Sequence, residues 1–269
     1  MPEDFTAPVV SNLDLGHGNF LLELAAGDAA ADATPGQFFM VGLPHADVLL
    51  RRPFSVCGLP GTFERSGAGG IQILYKVVGA GTELLATLKE GAPLHVLGPL
   101  GKGFSLPETP GVRPVFVAGG IGSAPFPALA HALGGLGIVP RMLYGARSGA
   151  DLPLLDWFRA RCAEVVVTTD DGSLGRKGFV TDPLADLLAS DPRDLFLYAC
   201  GPEPMLRAVA RLALARGVPC ELSLEAHMAC GFGVCLGCVV PTRSGETGDG
   251  GYERVCVEGP VMRAERLAW

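Results

Sequence analysis

The sequence predicts an α+β protein of three modules: an N-terminal antiparallel β-barrel, a central doubly wound α/β domain and a small cysteine-rich C-terminal module. Three observations support this division. The first part of the chain holds short apolar runs broken by turn residues, and the middle alternates apolar runs with helical segments. Four of the eight cysteines lie beyond residue 229. We place the three modules at residues 1–108, 109–218 and 219–269.

The barrel prediction depends on strand-sized apolar runs with frequent Gly, Pro, Asn and Asp between them. Short strands separated by such turn residues are typical of a small barrel or sandwich. One helical stretch, residues 82–89, lies within this zone. The predicted strands are residues 20–24, 37–43, 70–78 and 93–97.

The central module has the pattern of a parallel sheet. Residues 114–118 (PVFVA) are wholly apolar, as a strand covered on both faces requires. Alternating strands and helices then predict a doubly wound sheet with its ligand at the carboxyl ends of the strands. The further predicted strands are residues 141–145, 164–168 and 194–199, and the predicted helices are residues 127–133 and 204–216.

Composition excludes several classes of protein. Hydrophobic residues make up 48% and charged residues 18%, which argues against disorder. The net charge of −7 and the absence of a Lys/Arg cluster argue against a nucleic-acid binder. Residues 114–140 contain no Lys, Arg, Asp or Glu, but glycines and prolines interrupt them, so we expect a strand–loop–helix and not a membrane span. We find no signal peptide and predict a cytoplasmic protein with no membrane partner.

The most specific motif is Cys230-x4-Cys235-x2-Cys238 with a later Cys256. This spacing is the plant-type pattern for a [2Fe–2S] cluster, which four thiolates hold. Glycines between the cysteines allow a tight loop whose N–H groups can point at sulfur. A zinc site with four cysteine ligands is the alternative, although zinc ribbons usually present two CxxC pairs and this segment has one.

Two segments of the barrel zone together suggest a flavin site. Arg52 can hold a pyrophosphate with its forked guanidinium group, and Ser55 can meet a flavin ring nitrogen. Gly81 and Thr82 open the predicted helix, where free N–H groups can receive phosphate. Either segment alone would more often make a simple turn.

The glycine-rich segment after the PVFVA strand suggests a dinucleotide site. Gly119, Gly120 and Gly122 would let a pyrophosphate approach a helix N-terminus, although a tight turn gives the same pattern. Cys200 and Gly201 end another predicted strand on the same rim of the sheet. Cys200 is the candidate catalytic residue against a nicotinamide ring, and a buried apolar thiol is its alternative.

The order of these motifs resembles the ferredoxin–NADP reductase superfamily, in which a flavin barrel precedes a nicotinamide domain. The segments Ser223-Leu224-Glu225 and Met228-Ala229-Cys230-Gly231, with Cys235 and Cys238, narrow the resemblance. They look like the electron-transfer (iron–sulfur flavoprotein) subunits of class 1B dihydroorotate dehydrogenase. The resemblance covers nearly the whole chain.

The resemblance implies particular residues for each cofactor. FAD would bind at an Arg-Pro-x-Ser motif, a Leu-Tyr-Arg/Lys strand and a Gly-Thr pair, and the cluster at the four cysteines. Phe54 stands where the superfamily often has Tyr, so a hydroxyl contact to the flavin is lost. The FAD residues are Arg52, Pro53, Phe54, Ser55, Leu74, Tyr75, Lys76, Gly81 and Thr82, and the cluster ligands are Cys230, Cys235, Cys238 and Cys256.

The resemblance also implies a function. Electrons would pass between the FMN of a dihydroorotate dehydrogenase catalytic subunit and NAD through the [2Fe–2S] cluster and FAD, in pyrimidine (UMP) biosynthesis. The cofactors would supply the redox chemistry and the protein would place and tune them. The resemblance further implies a heterotetramer with two copies of each subunit, and NAD in preference to NADP. The alternatives are an NAD(P)H-oxidoreductase subunit of another complex, of the sulfhydrogenase or ferredoxin–NADP transhydrogenase type, and a zinc-binding adaptor without enzymatic activity.

Overall fold

The computed structural model describes residues 2–43, 48–64, 70–243 and 251–269. Within these residues the chain forms a six-stranded sheet, a seven-stranded sheet and a two-stranded sheet. No helix in the described ranges has the length and apolar character needed to cross a membrane.

The six-stranded sheet is antiparallel and nearly closes into a barrel, in the order β4-β3-β6-β1-β2-β5. Its inner face holds an apolar core that includes Phe39, Ile73 and Val96. Four of its strands match the predicted apolar runs, and the predicted helix begins two residues earlier than expected. The elements are β1 (Glu3–Gly16), β2 (Asn19–Ala25), α1 (Asp28–Ala31), β3 (Phe38–Gly42), β4 (Arg52–Ser55), β5 (Gly70–Lys76), α2 (Ala80–Thr87) and β6 (Pro93–Leu100).

The seven-stranded sheet is the nucleotide-binding type of sheet that the sequence predicts. Its order is β10-β9-β8-β7-β11-β12-β15, and only β15 runs antiparallel to its neighbour. The chain moves outward from β7 through β8 to β9, then returns to place β11 on the other side of β7. The strand order therefore reverses between β7 and β11, where such sheets form a ligand crevice.

Helices cover both faces of this sheet and bury its apolar strands. The elements are β7 (Arg113–Gly119), α3 (Phe126–Gly135), β8 (Arg141–Ala146), α4 (Leu155–Arg159), β9 (Glu164–Thr169), β10 (Arg176–Lys177), α5 (Thr181–Ser190), β11 (Leu195–Cys200), α6 (Glu203–Ala215) and β12 (Cys220–Ser223). Short 3₁₀ turns, Gly120–Ser123 and Gly149–Asp151, follow β7 and β8. At most of their ends, the predicted strands differ from the observed strands by a single residue.

The C-terminal module is not separate from this sheet. It contributes the hairpin β13 (Val239–Thr242) and β14 (Gly251–Arg254), the edge strand β15 (Val261–Arg263) and the 3₁₀ turn Ala264–Arg266. The sheet thus continues across the boundary that we placed at residue 218, since both β12 and β15 lie beyond it. One apolar core joins the barrel residue Met40 and the sheet residue Leu222 to Cys238 and Cys256 of the module.

Candidate functional site

The four cysteines of the C-terminal motif lie in two close pairs. The sulfurs of Cys238 and Cys256 are 3.2 Å apart, and both residues are buried. Cys230 and Cys235 lie in the preceding loop with their side chains in hydrogen-bonding contact. In the part of the chain that is described, no group of three or more His, Cys, Asp or Glu side chains is arranged around a single ion. Two pairs of thiols suit two irons, each of which takes two protein ligands.

The loop between Cys230 and Cys235 turns its N–H groups toward sulfur. Burial acts to raise the pKa of the Cys230 thiol, but N–H groups of Cys235, Phe232 and Val234 outweigh it and hold that pKa below its ordinary value. At Cys256, burial and the neighbouring Cys238 raise the pKa of the thiol to about 12, and the N–H of Gly233 only partly opposes them. These donors favour thiolates, which is the form that binds iron.

Glycine is required at two positions of this loop. Gly231 and Gly233 have φ values of 80° and 88°, in the left-handed region. A Cβ at Gly231 would lie 2.5 Å from Met40 Cγ, so the loop packs directly on strand β3 of the barrel. Leu236, a residue with a side chain, also takes a left-handed conformation in this loop, with φ 58°.

The predicted pyrophosphate-binding residues of the barrel lie together. The guanidinium group of Arg52 covers the first turn of α2, and a Cβ at Gly81 would lie 2.3 Å from Arg52 Nε. A helix N-terminus leaves its first N–H groups without intrahelical partners. Arg52 and these N–H groups therefore form a cationic pocket that fits the phosphates of FAD.

Thr82 and Ser55 take different positions around this pocket. The Thr82 hydroxyl accepts hydrogen bonds from the N–H groups of Val78 and Gly79, at 2.9 and 3.2 Å, so it holds the turn before α2. Ser55 ends β4 opposite Phe38 of β3 and is partly exposed. Phe54 packs edge-on against Tyr75, with 6.0 Å between ring centroids.

Strand β5 presents its three predicted flavin residues differently. Leu74 and Tyr75 are buried on opposite faces of the strand, in different apolar clusters. Tyr75 stacks on Phe20 and its hydroxyl donates to Asn12 Oδ1 at 3.1 Å. Contact of Leu74 or Tyr75 with FAD would therefore use mainly their backbone atoms. Lys76 forms an ion pair with Asp151, with Nζ and Oδ1 2.5 Å apart, and so links the barrel to the nucleotide sheet.

The predicted dinucleotide residues meet at the reversal of strand order. A Cβ at Gly122 would lie 2.4 Å from the carbonyl oxygen of Cys200, and one at Gly201 would lie 3.0 Å from Gly119 N. The turns that follow β7 and β11 are thus in contact at the crevice. Gly120 has a φ of 55°, a conformation that glycine adopts without strain.

Cys200 lies beside two residues that the sequence motifs alone did not assign to this site. Its thiol is 5% exposed, and burial followed by the charge of Glu225 raises its pKa to about 12, against a hydrogen bond with Ser223. The thiol is therefore protonated at neutral pH. Glu225 reaches solvent within the cleft, yet the protein around it raises the pKa of its carboxyl group. Ser223 and Glu225 entered the sequence analysis only through the resemblance, because no spacing rule marks them.

The flavin strands lie between the other two sites. On one side, Met40 of β3 contacts the cysteine loop and pairs across the sheet with Pro53 of β4. On the other side, Leu74 of β5 packs in one cluster with Ile121 and Ala124, which follow the glycine turn of β7. The barrel thus contacts both the cysteine loop and the segment that follows the glycine turn of the nucleotide sheet.

Two family models match the chain. Residues 225–268 match the iron–sulfur cluster binding domain of dihydroorotate dehydrogenase B. Residues 116–211 match the oxidoreductase NAD-binding domain. These ranges hold the four cysteines and the glycine turn, respectively.

Several curated relatives carry the name dihydroorotate dehydrogenase B (NAD(+)), electron transfer subunit. The chain is 36% identical over 270 residues to the protein of Desulforamulus reducens, covering all of both chains. It is 40% identical over 234 residues to that of Caldanaerobacter subterraneus, covering 87% of this chain and 86% of the relative. It is 43% identical over 233 residues to that of Bacillus caldolyticus, covering 86% and 85%.

Solved structures share the fold. An NADH-dependent reduced ferredoxin–NADP oxidoreductase superposes with a TM-score of 0.82 and 30% identity, over 98% of this chain and 90% of that chain. The ferredoxin reductase of carbazole 1,9a-dioxygenase gives a TM-score of 0.68 and 25% identity, over 81% and 67%.

These findings confirm the predicted fold class of flavin barrel, nucleotide domain and C-terminal iron–sulfur region. They also confirm FAD, a [2Fe–2S] cluster and NAD as the cofactors. The assignment of individual residues to each cofactor stays a prediction. By the identity and coverage of its relatives, the chain belongs to the family of electron transfer subunits of NAD(+)-dependent dihydroorotate dehydrogenase B.

Proposed function

We propose that this chain passes electrons between the FMN of a dihydroorotate dehydrogenase catalytic subunit and NAD, through its [2Fe–2S] cluster and FAD, as a step of pyrimidine biosynthesis in the cytoplasm. Two copies of each subunit would form the working complex. The observation that carries the proposal is the position of the barrel, whose strand β3 contacts the cysteine loop through Met40 and whose strand β5 packs beside the glycine turn through Leu74. Bound FAD supplies the exchange between two-electron and one-electron transfer.

Different residues of the chain would hold FAD and NAD. Arg52 and the N–H groups at Gly81 and Thr82 would hold the FAD pyrophosphate. Gly119, Gly120 and Gly122 would admit the NAD pyrophosphate at the crevice. The remaining predicted FAD contacts are Pro53, Phe54, Ser55, Leu74, Tyr75 and Lys76.

Cys200 would contact the nicotinamide ring as a neutral thiol, since burial keeps its pKa high. Gly201 leaves the turn after β11 open to the ring. The nicotinamide ring is positively charged in NAD⁺ and neutral in NADH. A protonated Cys200 thiol carries no charge, so it does not favour either form electrostatically. Glu225, next to Cys200, is the charged group best placed to respond to that change.

The cluster would be held by Cys230, Cys235, Cys238 and Cys256, and the surface around it supports a protein partner. The loop exposes three apolar side chains, Phe232, Val234 and Leu236, at 54%, 72% and 58%. Grouped exposed apolar side chains mark interaction surfaces. We therefore place the catalytic subunit on this loop, where a single cluster-to-FMN step would be shortest.

An anaerobic titration tests the proposed relay. The purified chain should show flavin and iron–sulfur absorption, and NADH should bleach both. The chain alone should not oxidise dihydroorotate, whereas its complex with the FMN subunit should reduce NAD⁺ with dihydroorotate. Turnover of dihydroorotate by the single chain, or bleaching of the flavin without the cluster, would contradict the proposal.

The structural likeness to a reduced ferredoxin–NADP oxidoreductase supports one alternative, a subunit of another NAD(P)H-dependent complex. The identity of the co-purifying partner separates the two functions. An FMN protein that oxidises dihydroorotate supports the main proposal, and a partner that exchanges electrons with ferredoxin supports the alternative.

A further inference from the structure

Arg254 contacts both parts of the cysteine site, the Cys230–Cys235 loop and the turn that carries Cys256. Arg254 ends strand β14, two residues before Cys256. Its guanidinium group makes a bidentate contact with the Glu258 carboxylate: Nε lies 3.1 Å from Oε2 and Nη2 lies 2.5 Å from Oε1. The N–H of Arg254 also donates to Glu258 Oε2 at 2.8 Å. Such bidentate, charge-assisted contacts fix the plane of a guanidinium group.

The third nitrogen of this group reaches the other half of the site. Arg254 Nη1 donates to the carbonyl oxygen of Gly233 at 3.1 Å. A peptide unit is planar, with its C=O and the following N–H pointing in opposite directions. Holding the Gly233 carbonyl therefore fixes the orientation of the Gly233–Val234 peptide unit within the Cys230–Cys235 loop, with the N–H of Val234 pointing away from Arg254.

The turn that carries Cys256 depends on the same residue. The carbonyl oxygen of Arg254 accepts hydrogen bonds from the N–H groups of Val257 and Glu258, at 3.0 and 2.9 Å. The side chain and backbone of Arg254 thus fix the Cys230–Cys235 loop relative to Cys256. Gly233 has to be glycine here, since its φ is 88° and a Cβ would lie 2.6 Å from Val257 Cγ2.

We propose that Arg254 is a positioning residue for the cluster: by binding the Gly233 carbonyl, it fixes the Cys230–Cys235 loop relative to Cys256 and raises the reduction potential of the cluster. The proposal rests on the assignment of the four cysteines to a [2Fe–2S] cluster. Hydrogen bonds to cluster sulfurs and the local charge set such potentials, because they stabilise the extra negative charge of the reduced form.

The test is an EPR-monitored redox titration of the complete complex carrying Arg254→Gln. We expect the equilibrium constant for cluster reduction to fall about tenfold, or about 59 mV for a one-electron couple, while the FAD potential stays unchanged. The matched control is Arg266→Gln, which removes a surface ion pair with Glu253 on the same hairpin strand and does not contact the cysteine loop. It should leave both potentials at their wild-type values.

A double variant separates the hydrogen bond from the charge. In Arg254→Gln/Glu258→Gln the net charge beside the cluster equals that of the wild type, but the contact with Gly233 is lost. A potential that stays low supports positioning, and recovery to the wild-type value overturns it in favour of charge alone. A wild-type potential in Arg254→Gln also overturns it.

A conservative variant keeps the proposal testable if Arg254→Gln loses the cluster. If Arg254→Gln does not retain iron, the potential is measured in Arg254→Lys, which keeps the charge but cannot bind Gly233 and both oxygens of Glu258 at once. A lowered potential there supports the proposal, and an unchanged one overturns it. Absence of iron from the unsubstituted chain would instead contradict the cluster assignment itself.

Discussion

The contact between the two turns at the nucleotide crevice can be tested with a single methyl group. In Gly122→Ala the new Cβ would lie 2.4 Å from the carbonyl oxygen of Cys200 and 2.6 Å from Gly201 Cα. Ordinary contact begins at 3.4 Å, so the turns after β7 and β11 must separate by about 1 Å. Neither obstacle is a flexible side chain, so the strain falls on backbone atoms. Overpacking of this kind costs about 2–3 kcal/mol.

The expected effects are on stability and on reduction by NADH. For a chain of this size, the strain should lower the melting temperature by about 5–10 °C. A displacement of about 1 Å at the pyrophosphate turn should lower kcat/KM for reduction of the bound flavin by NADH about 10- to 100-fold. Anaerobic stopped-flow absorbance measures this rate directly, and calorimetry measures the melting temperature.

A second glycine in the same domain gives the control. Gly134 lies in helix α3 with no atom within 4 Å of its added Cβ. Gly134→Ala should stabilise the helix by up to about 1 kcal/mol and leave the NADH reaction unchanged. If Gly122→Ala reduced its flavin at the wild-type rate and with the wild-type dependence on NADH, the proposed position of NAD at this crevice would be wrong.

Three further predictions concern other contacts. Cys235→Ser, which alters an exposed ligand in the loop, should remove the iron–sulfur absorption while the flavin absorption and the NADH-dependent flavin reduction persist; loss of both chromophores would argue against separate sites. Asp170 directly follows β9, on the rim of the nucleotide sheet, and its N–H donates to the Ala146 carbonyl at 3.1 Å. Asp170→Asn should improve use of NADPH relative to NADH roughly fivefold in steady-state assays, because one like charge near the 2′-phosphate is worth about 1 kcal/mol; an unchanged ratio would remove Asp170 from NAD selection. The hydrogen bond from Lys76 lowers the pKa of Asp151, so this ion pair stabilises the fold above about pH 4 and is lost as the pH falls further. Asp151→Asn should therefore cost at most about 1 kcal/mol at pH 7 and less at pH 3 by urea unfolding, and an equal loss at both values would show that the charge is not responsible.

The elements that sequence patterns predicted well are those whose burial leaves a local signature. Strand β7 is apolar along its whole interior because helices cover both faces of the sheet, so its pattern is visible in PVFVA. The cysteine spacing likewise depends on residues close together in sequence. The glycines beside Cys200 and Cys230 were found because close backbone approach excludes every larger residue.

The elements that the patterns missed depend on partners distant in the chain. Strand β1 is fourteen residues long, but most of it is exposed or only partly buried, so no apolar run announces it. Glu225 belongs to the crevice only because β12 places it beside Cys200, and Arg254 belongs to the cysteine site only because the loop folds back onto it. Side chains that reach a site through such long-range contacts cannot be found from the spacing of residues in the sequence.

The edge strand β15 has a consequence for how the protein is made. It pairs with β12 through Leu222 and Met262, so the sheet that binds the dinucleotide is completed by chain that follows all four cysteines. A fragment ending at Ser223 would expose the backbone of β12 as an open edge, which invites aggregation. The nucleotide domain should therefore not be obtained in native form by a truncation that removes β15.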